Sequence, residues 1–459
     1  MFRSLPAAHH HDEDLTALGA AMTAEAEDHP TPEGTADDEE NPGIAAGYTY
    51  LGQLIDHDLT FDPVSSLQRT NDPDALVDFR TPRFDLDCVY GRGPSDQPYL
   101  YQPDGRSMLL GEPLSGNPGD PHAVDLPRNS GGRALIGDPR NDENRIVAQL
   151  QVALLRFHNL MTTRITGPFE HVAEQVRWHY QWIVLHDFLP TIVGQAAVDA
   201  LFPHGPHQPP KLSWYTPRNN AFMPIEFSAA AYRFGHSMIR PIYRLNETIE
   251  RRPIFSPTPD QPAADLGGFR PIPDDWAIDW RFFFPMESTT QIGRPQLSYK
   301  IDTSLVNPLG ALPPSIAANP SSLAARNLLR GKSMRLPSGQ SVARAIRVPV
   351  IPDADLRIGK ANEADQPGTP LLDISPHFAN NAPLWFYILR EAQQAFVDDT
   401  APIRLGPVGA TLVAETFVGL LWHDSHSYLR QHPTFTPRHD LQNNGSFGIK
   451  ELIAAAVGS

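Results

Sequence analysis

The sequence predicts a single, mainly α-helical domain with long proline-rich loops and very little strand. Three observations predict it. Apolar residues recur at helical spacing through most of the chain beyond residue 45. Strand-like alternation is sparse. The 47 prolines, about twice typical usage, interrupt helices and sheet ladders alike and leave long irregular connections between helices.

Residues 1–45 are polar, acidic and proline-rich ("EDHPTPEGTADDEENPG") and read as a largely irregular tail with little core of its own, leaving 46–459 as the domain. The run His9–His11 offers metal-binding side chains, but a flexible tail makes a poor site. "YTYLGQLIDHDL" is the first helix. The next runs from about Asp142 through "IVAQLQVALLRFHNLMTTRI" and breaks at Gly167–Pro168; "HVAEQVRWHYQWIVLHDFL" follows and is expected to stop at Pro190. "IEFSAAAYRFGHSMI", "SSLAARNLLRGKSM", "PLWFYILREAQQAF" and "VGATLVAETFVGLLW" complete the set. The stretches at 93–130, 203–224, 252–275 and 350–376 read as loops within one domain, because the helices flanking them are too apolar to fold alone.

A formal charge of −16 argues against nucleic acid or an anionic membrane surface as partner. No apolar run approaches the roughly 20 residues of a membrane span, and residues 1–22 lack the apolar core of a secretory signal. One cysteine, Cys88, excludes an internal disulfide framework. The expected compartment is the cytoplasm, with leaderless export left open.

Five segments carry chemistry-bearing residues. In "GQLIDHDL", Leu51, Leu54, Ile55 and Leu59 form one face and Gln53, Asp56 and His57 another. A capped surface helix explains a lone "DHD"; a polar trio turned inward needs partners. "GDPRNDEN" opens the long apolar helix with Asp138–Pro139, a good start signal, which leaves Arg140 and Glu143 unexplained at a spacing that lets both address one ligand. In "AAYRFGHSMIRP", a helical wheel puts Phe227, Ala231, Phe234 and Met238 on one stripe, with His236 opposite, near Ala229, Tyr232, Arg233 and Arg240. That grouping suits a flat ligand with anionic groups, although a helical histidine is usually structural. In "AARNLLRGK", Asn327 and Arg330 lie one turn apart, next to a possible helix end at Gly331. Finally "TPRFDLDCVYG" alternates Thr81, Asp85 and Asp87, which suits either a hard cation or a solvated strand face.

In this order the segments resemble the animal-type haem peroxidase superfamily, which includes myeloperoxidase, lactoperoxidase and the cyclooxygenases. The likeness is to its compact bacterial members and covers nearly everything from about residue 45 to the end. It implies haem b and Ca²⁺ as cofactors, and hydrogen peroxide with small donors (halide, pseudohalide or phenolic) as substrates, oxidised through an oxo-iron intermediate. By position it implies His57 as distal base, Gln53 beside it, Arg140 as distal arginine, and Asp56 and Glu143 as ester links to haem. It implies His236 as iron ligand, Asn327 as its hydrogen-bond partner, and Arg233 and Arg330 as propionate partners. Thr81, the Arg83 carbonyl, Asp85, Asp87 and Asp58 would hold calcium.

Two departures matter. Asn144 stands where members with a sulfonium link carry methionine, and Arg233 stands where fatty-acid oxygenases carry a radical tyrosine, Tyr232 being expected to project elsewhere. His158, His179 and His186 read as core residues. The competing readings are a fatty-acid dioxygenase and a non-enzymatic haem-binding or adhesion protein. Oligomeric state is not legible.

Overall fold

A computed structural model describes residues 1–26, 39–60, 82–218, 220–256, 264–286, 293–314, 316–317, 319–362 and 367–458. Its architecture is helical around one continuous apolar core. Among the described residues the strands are three short antiparallel pairs, of which Glu40–Ala45 with Leu297–Tyr299 is the longest, registered Glu40 to Tyr299 and Ala45 to Leu297 around a bulge.

That ladder aims the chain into the Gly47–Leu59 helix. Gly47 starts it because a Cβ would run into the Phe284 ring and the Phe283 carbonyl, so only glycine lets the helix begin this close. Leu51, Leu54 and Ile55 are buried, and the helix packs on the Arg145–Arg164 helix, which also carries Ile449–Val457 on its flank. Arg145–Arg164 starts two to three residues later than its apolar pattern suggests, because the Asn144 side chain accepts from the Ile146 N–H at 2.8 Å and caps it there. Residues Pro139–Asp142 form a separate 3₁₀ turn ahead of it.

Three expectations are corrected. The helix Phe169–Ile183 does not stop at Pro190: it widens into a π turn at Val184–Phe188 and continues as Leu189–Val193, ending at Gly194 with φ +85°. The wider turn accommodates the amide hydrogen that proline lacks. The segment around His236 is not one α-helix. A four-residue helix, Ile225–Ser228, breaks at Ala230 (φ −139°, ψ −70°) and re-forms as a 3₁₀ turn, Ala231–His236. Three residues per turn instead of 3.6 changes which side chains share a face. Arg240 therefore leaves His236 and pairs with Glu40 at 2.8 Å, over the Tyr299 ring.

The third correction concerns residues 1–45. Asp12–Ala21 is a helix with Leu15 and Leu18 fully buried, and Phe2 is buried as well. This helix crosses Leu323–Ser333 so closely that a Cβ on Gly19 would collide with the Ala325 backbone. Two buried leucines and a glycine contact are a weak signal in a polar stretch, and they sufficed. Leu323–Ser333 is capped by Ser322 and runs past Gly331.

The helices Leu384–Gln393 and Pro407–His423 are almost wholly buried and fill the centre. Among the described residues no helix is long and apolar enough to cross a membrane. Cys88 is buried and takes part in no disulfide.

His158 and His179 are fully buried with both ring nitrogens engaged: His158 with the Tyr90 hydroxyl (3.0 Å) and the Arg106 carbonyl (2.8 Å), His179 with the Gln175 carbonyl (2.7 Å) and the Arg438 N–H (3.1 Å). Burial pushes each pKa down to about 4. The folded rings stay neutral where an unfolded chain protonates near its ordinary 6.5, so the stability they carry is complete above pH 6.5 and lost as pH falls toward 4, about 3 kcal/mol for each. Urea midpoints measured from pH 7.5 down to 4.5 are expected to fall through that window, and less steeply in His179→Gln. A flat profile would refute this.

Candidate active site

The Gly47–Leu59 helix turns Gln53, Asp56 and His57 away from its apolar face. The His57 ring is held by a buried relay. Its Nδ1–H donates to Asn141 Oδ1 at 2.7 Å, and Asn141 Nδ2 donates to Gln151 Oε1 at 2.8 Å. The second bond decides which way the Asn141 amide faces, so its oxygen is presented to the ring and Nδ1 keeps the proton. Asn141 and Gln151 are both fully buried. Neither is among the residues singled out from the sequence; the signal for Gln151 is that it is one of two glutamines, with Gln149, inside the otherwise apolar "VAQLQVALL".

The other ring nitrogen, Nε2, lies 3.3 Å from Glu143 Oε1, which also accepts from Gln53 Nε2 at 2.5 Å. Burial raises the Glu143 pKa, but its bonds to His57 and Gln53 and the nearby Arg140 outweigh that and hold it below the usual carboxylate range. Arg140 packs beneath this group. Its guanidinium pairs with the fully buried Asp138 at 2.8 Å and donates to the carbonyls of His57 (3.1 Å) and Thr60, tying off the helix that carries His57. Desolvation opposes its charge, yet Asp138, Asp56 and Glu143 keep Arg140 cationic.

The facing wall is the Ala231–His236 turn. His236 Nδ1 lies 2.7 Å from Asn327 Nδ2, and Asn327 Oδ1 accepts from Arg233 Nη1 at 2.9 Å. Asn327 is fully buried on Leu323–Ser333. Trp385 Nε1 donates to the Arg233 carbonyl at 3.2 Å and fixes the turn to the central helix. Burial, then the Arg233 charge, push the His236 pKa down to about 3, so its imidazole is neutral at any ordinary pH. Arg326 and Arg330 add positive charge around Arg233, an unusual concentration in so acidic a chain.

The two walls meet where the Tyr232 hydroxyl donates to the Gly52 carbonyl at 3.2 Å, and Asp56 lies close enough to act electrostatically on Tyr232 and Arg233. Tyr232 stacks on Phe227, with ring centroids 4.7 Å apart. Between the walls there is room. A Cβ on Gly235 would meet nothing within 4 Å, and Gly235, His236, Arg233, Gln53, Asp56 and Glu143 all keep partial exposure deep in the chain. A neutral imidazole beside open space, a second fixed imidazole on the helix that meets its turn and an arginine cluster around Arg233 fit a flat ligand that offers a metal to nitrogen and carboxylates to arginine.

Behind the His57 helix, Asp58 is fully buried against Tyr180 and near Asp85. Burial first, then Asp58 and Asp87, push the Asp85 pKa up to about 8. The segment is not the extended strand its alternation suggested: Leu86 takes a left-handed conformation (φ 57°) into the Asp87–Tyr90 turn. Asp85 accepts from the Asp87 N–H at 3.2 Å, and Arg83 reaches Asp424 at 3.8 Å. Thr81 lies outside the described residues. The three carboxylates share a neighbourhood, but their oxygens do not converge as tightly as those of His11, Asp14 and His377, which lie within 4.8 Å of one another.

Residues 60–261 match the family model for animal haem peroxidase. That span includes Arg140, Glu143 and His236; His57 and Asn327 fall outside it. Among curated proteins, the chain is 27% identical over 210 residues to the human probable oxidoreductase PXDNL (41% of this chain, 13% of that protein) and 29% identical over 136 residues to thyroid peroxidase from Rattus norvegicus (28% and 14%). The chain thus spans about an eighth of the length of these relatives. Peroxidase A from Dictyostelium discoideum shares the fold at TM-score 0.60 and 16% identity, over 93% of this chain and 87% of that one. A fatty acid alpha-dioxygenase from Oryza sativa does so at TM-score 0.56 and 14% identity, over 96% and 76%.

Asn141→Ala removes the oxygen that fixes Nδ1–H and strands Gln151, an expected loss of about 1–3 kcal/mol in stability. Nitrogen-15 NMR of His57 is expected to report a protonated Nδ1 in the wild-type protein and a mixture of ring protonation states in the variant. An unchanged spectrum would remove Asn141 from this role.

Proposed function

We propose, for a chain that belongs to the animal-type haem peroxidase superfamily, that it is a haem peroxidase reducing hydrogen peroxide at the expense of small donors: halide, pseudohalide or phenol. One observation carries the reading: a neutral His236 beside the open space at Gly235, opposite a His57 whose ring is fixed by Asn141.

Haem, when bound, supplies the redox centre at which the oxygen–oxygen bond of peroxide is broken. His236 Nε2 is the nitrogen left for iron, and iron there requires the proton on Nδ1. Asn327 then has to present its oxygen, which at present accepts from Arg233. Turning the amide releases Arg233, and a propionate is the natural partner for it and for Arg330. A neutral amide on Nδ1 withdraws less of that proton than a carboxylate would, leaving the iron more oxidising.

On the other wall, His57 would take the proton from the near oxygen of peroxide at Nε2 and return it to the leaving oxygen, which departs as water, while the charge of Arg140 favours the negative charge that builds on that oxygen before the proton arrives. Asn141 keeps Nδ1 out of the exchange. Glu143 now occupies Nε2; an ester from Glu143 to the porphyrin, paired with one from Asp56, would free that nitrogen. Asn144 has no sulfur and is used as a helix cap, so no sulfonium link forms and strong chloride oxidation is not expected.

For calcium, Asp58, Asp85, Asp87, Thr81 and the Arg83 carbonyl are the proposed oxygen donors. The crowding of Asp85 with Asp58 and Asp87 supports this, since a cation relieves it.

Purified chain reconstituted with hemin is expected to give a Soret band and peroxide-dependent oxidation of bromide, thiocyanate and a phenol compared side by side. His236→Ala is expected to lose the band. His57→Ala is expected to keep it and lose about 10²–10⁴-fold in turnover. Acid–acetone treatment after peroxide is expected to leave pigment on the protein. Stoichiometric haem in His236→Ala would overturn the ligand assignment; oxygen uptake with fatty acid and no peroxide would favour the dioxygenase reading.

Metal analysis before and after chelation is expected to find calcium in the wild-type protein and none in Asp58→Asn, with a lower thermal midpoint in both depleted forms. Protein free of calcium as purified, and unmoved by its addition, would end that assignment.

A further inference from the structure

We propose that His11, Asp14 and His377 form a binding site for one borderline transition-metal ion of the Zn²⁺ class, separate from the haem crevice. One ligand atom of each lies within 4.8 Å of the other two. Ligands sharing a tetrahedral ion sit roughly 3.4 Å apart, given zinc–nitrogen bonds near 2.1 Å, so exposed side chains close that span by rotation. Two imidazoles and one carboxylate select zinc, copper or nickel over calcium and magnesium, and three protein donors leave a fourth position for water.

The backbone that carries these groups is fixed on both sides, which sets this apart from a histidine run on a loose tail. His11 is the N-cap residue of Asp12–Ala21, and Asp14 lies in its first turn, one turn on. The helix is anchored by buried Leu15 and Leu18 and by the Asp12–Lys332 pair at 2.6 Å. His377 sits in the Pro376–Phe378 turn. Between them, Asn381 Nδ2 donates to the His9 carbonyl (2.8 Å), His10 Nε2 donates to the Asn381 carbonyl (2.7 Å), and the His10 ring rests on Phe378. His10 is thereby spent on structure, while its neighbour His11 is free to face His377, ring centroids 4.7 Å apart. His377 Nδ1 already donates to Asp14 Oδ2 at 2.9 Å. On binding, the ion takes the place of a proton held among these three groups, and that proton leaves to solvent. The bound ion would join segments 366 positions apart in sequence.

The test uses the full chain loaded with hemin and equilibrium dialysis against Zn²⁺ alone. One ion per chain is expected, with Kd on the order of 1–10 μM for a three-ligand exposed site. His377→Ala and His11→Ala are each expected to weaken binding by about tenfold or more, and exposed His204→Ala to leave it unchanged. Zinc is expected to raise the thermal midpoint of the wild-type protein and leave that of His377→Ala where it was. All three positions tested are exposed, and circular dichroism verifies that the variants fold. Binding that survives His377→Ala at full strength would mean that the His9–His11 run takes the ion by itself, and absence of binding up to about 100 μM would mean no site; either result overturns the proposal.

Discussion

Two imidazoles, each with one nitrogen held by a buried asparagine amide, govern how the rest of the structure is arranged. An imidazole in a crevice is useful only if its proton sits on a known nitrogen, and the protein settles this twice. On the His57 side the amide of Asn141 is oriented by Gln151, and on the His236 side that of Asn327 by Arg233. The second case is the more interesting because Arg233 is a charged group that a carboxylate ligand can draw away. Asn327 is thus oriented by a charged side chain, Asn141 by an uncharged one.

The scaffold serves this asymmetry. His57 stands on a regular helix whose start is pinned by Gly47 on Phe283 and Phe284 and whose end is tied by Arg140. His236 stands on a tight 3₁₀ turn braced by Trp385. Behind the His57 helix, burial and then the neighbouring Asp58 and Asp87 drive the Asp85 pKa up to about 8, which favours its protonated form there.

Much of this was legible from residue order. The "GQLIDHDL" helix follows its period because apolar and polar faces separate cleanly over three turns, and "GDPRNDEN" announces its turn through Asp138 and Pro139. Other parts were not legible, for physical reasons. A helical wheel assumes 100° per residue, and the Ala231–His236 turn does not obey it, which moved Arg240 to the strand ladder. Pro190 reads as a stop unless a wider turn absorbs its missing hydrogen. Asn141 is silent because a buried relay depends on two residues ten positions apart that look unremarkable singly. The segment before residue 45 reads as tail by composition, but it docks through a few scattered residues, Phe2, Leu15, Leu18 and Met22, with Gly19 close against Ala325.

That last feature has a mechanical reach. The Asp12–Ala21 helix leans directly on Leu323–Ser333 at Gly19 and Ala325, two residues from Asn327. The amino-terminal arm is thus a brace against the helix that presents Asn327 to His236.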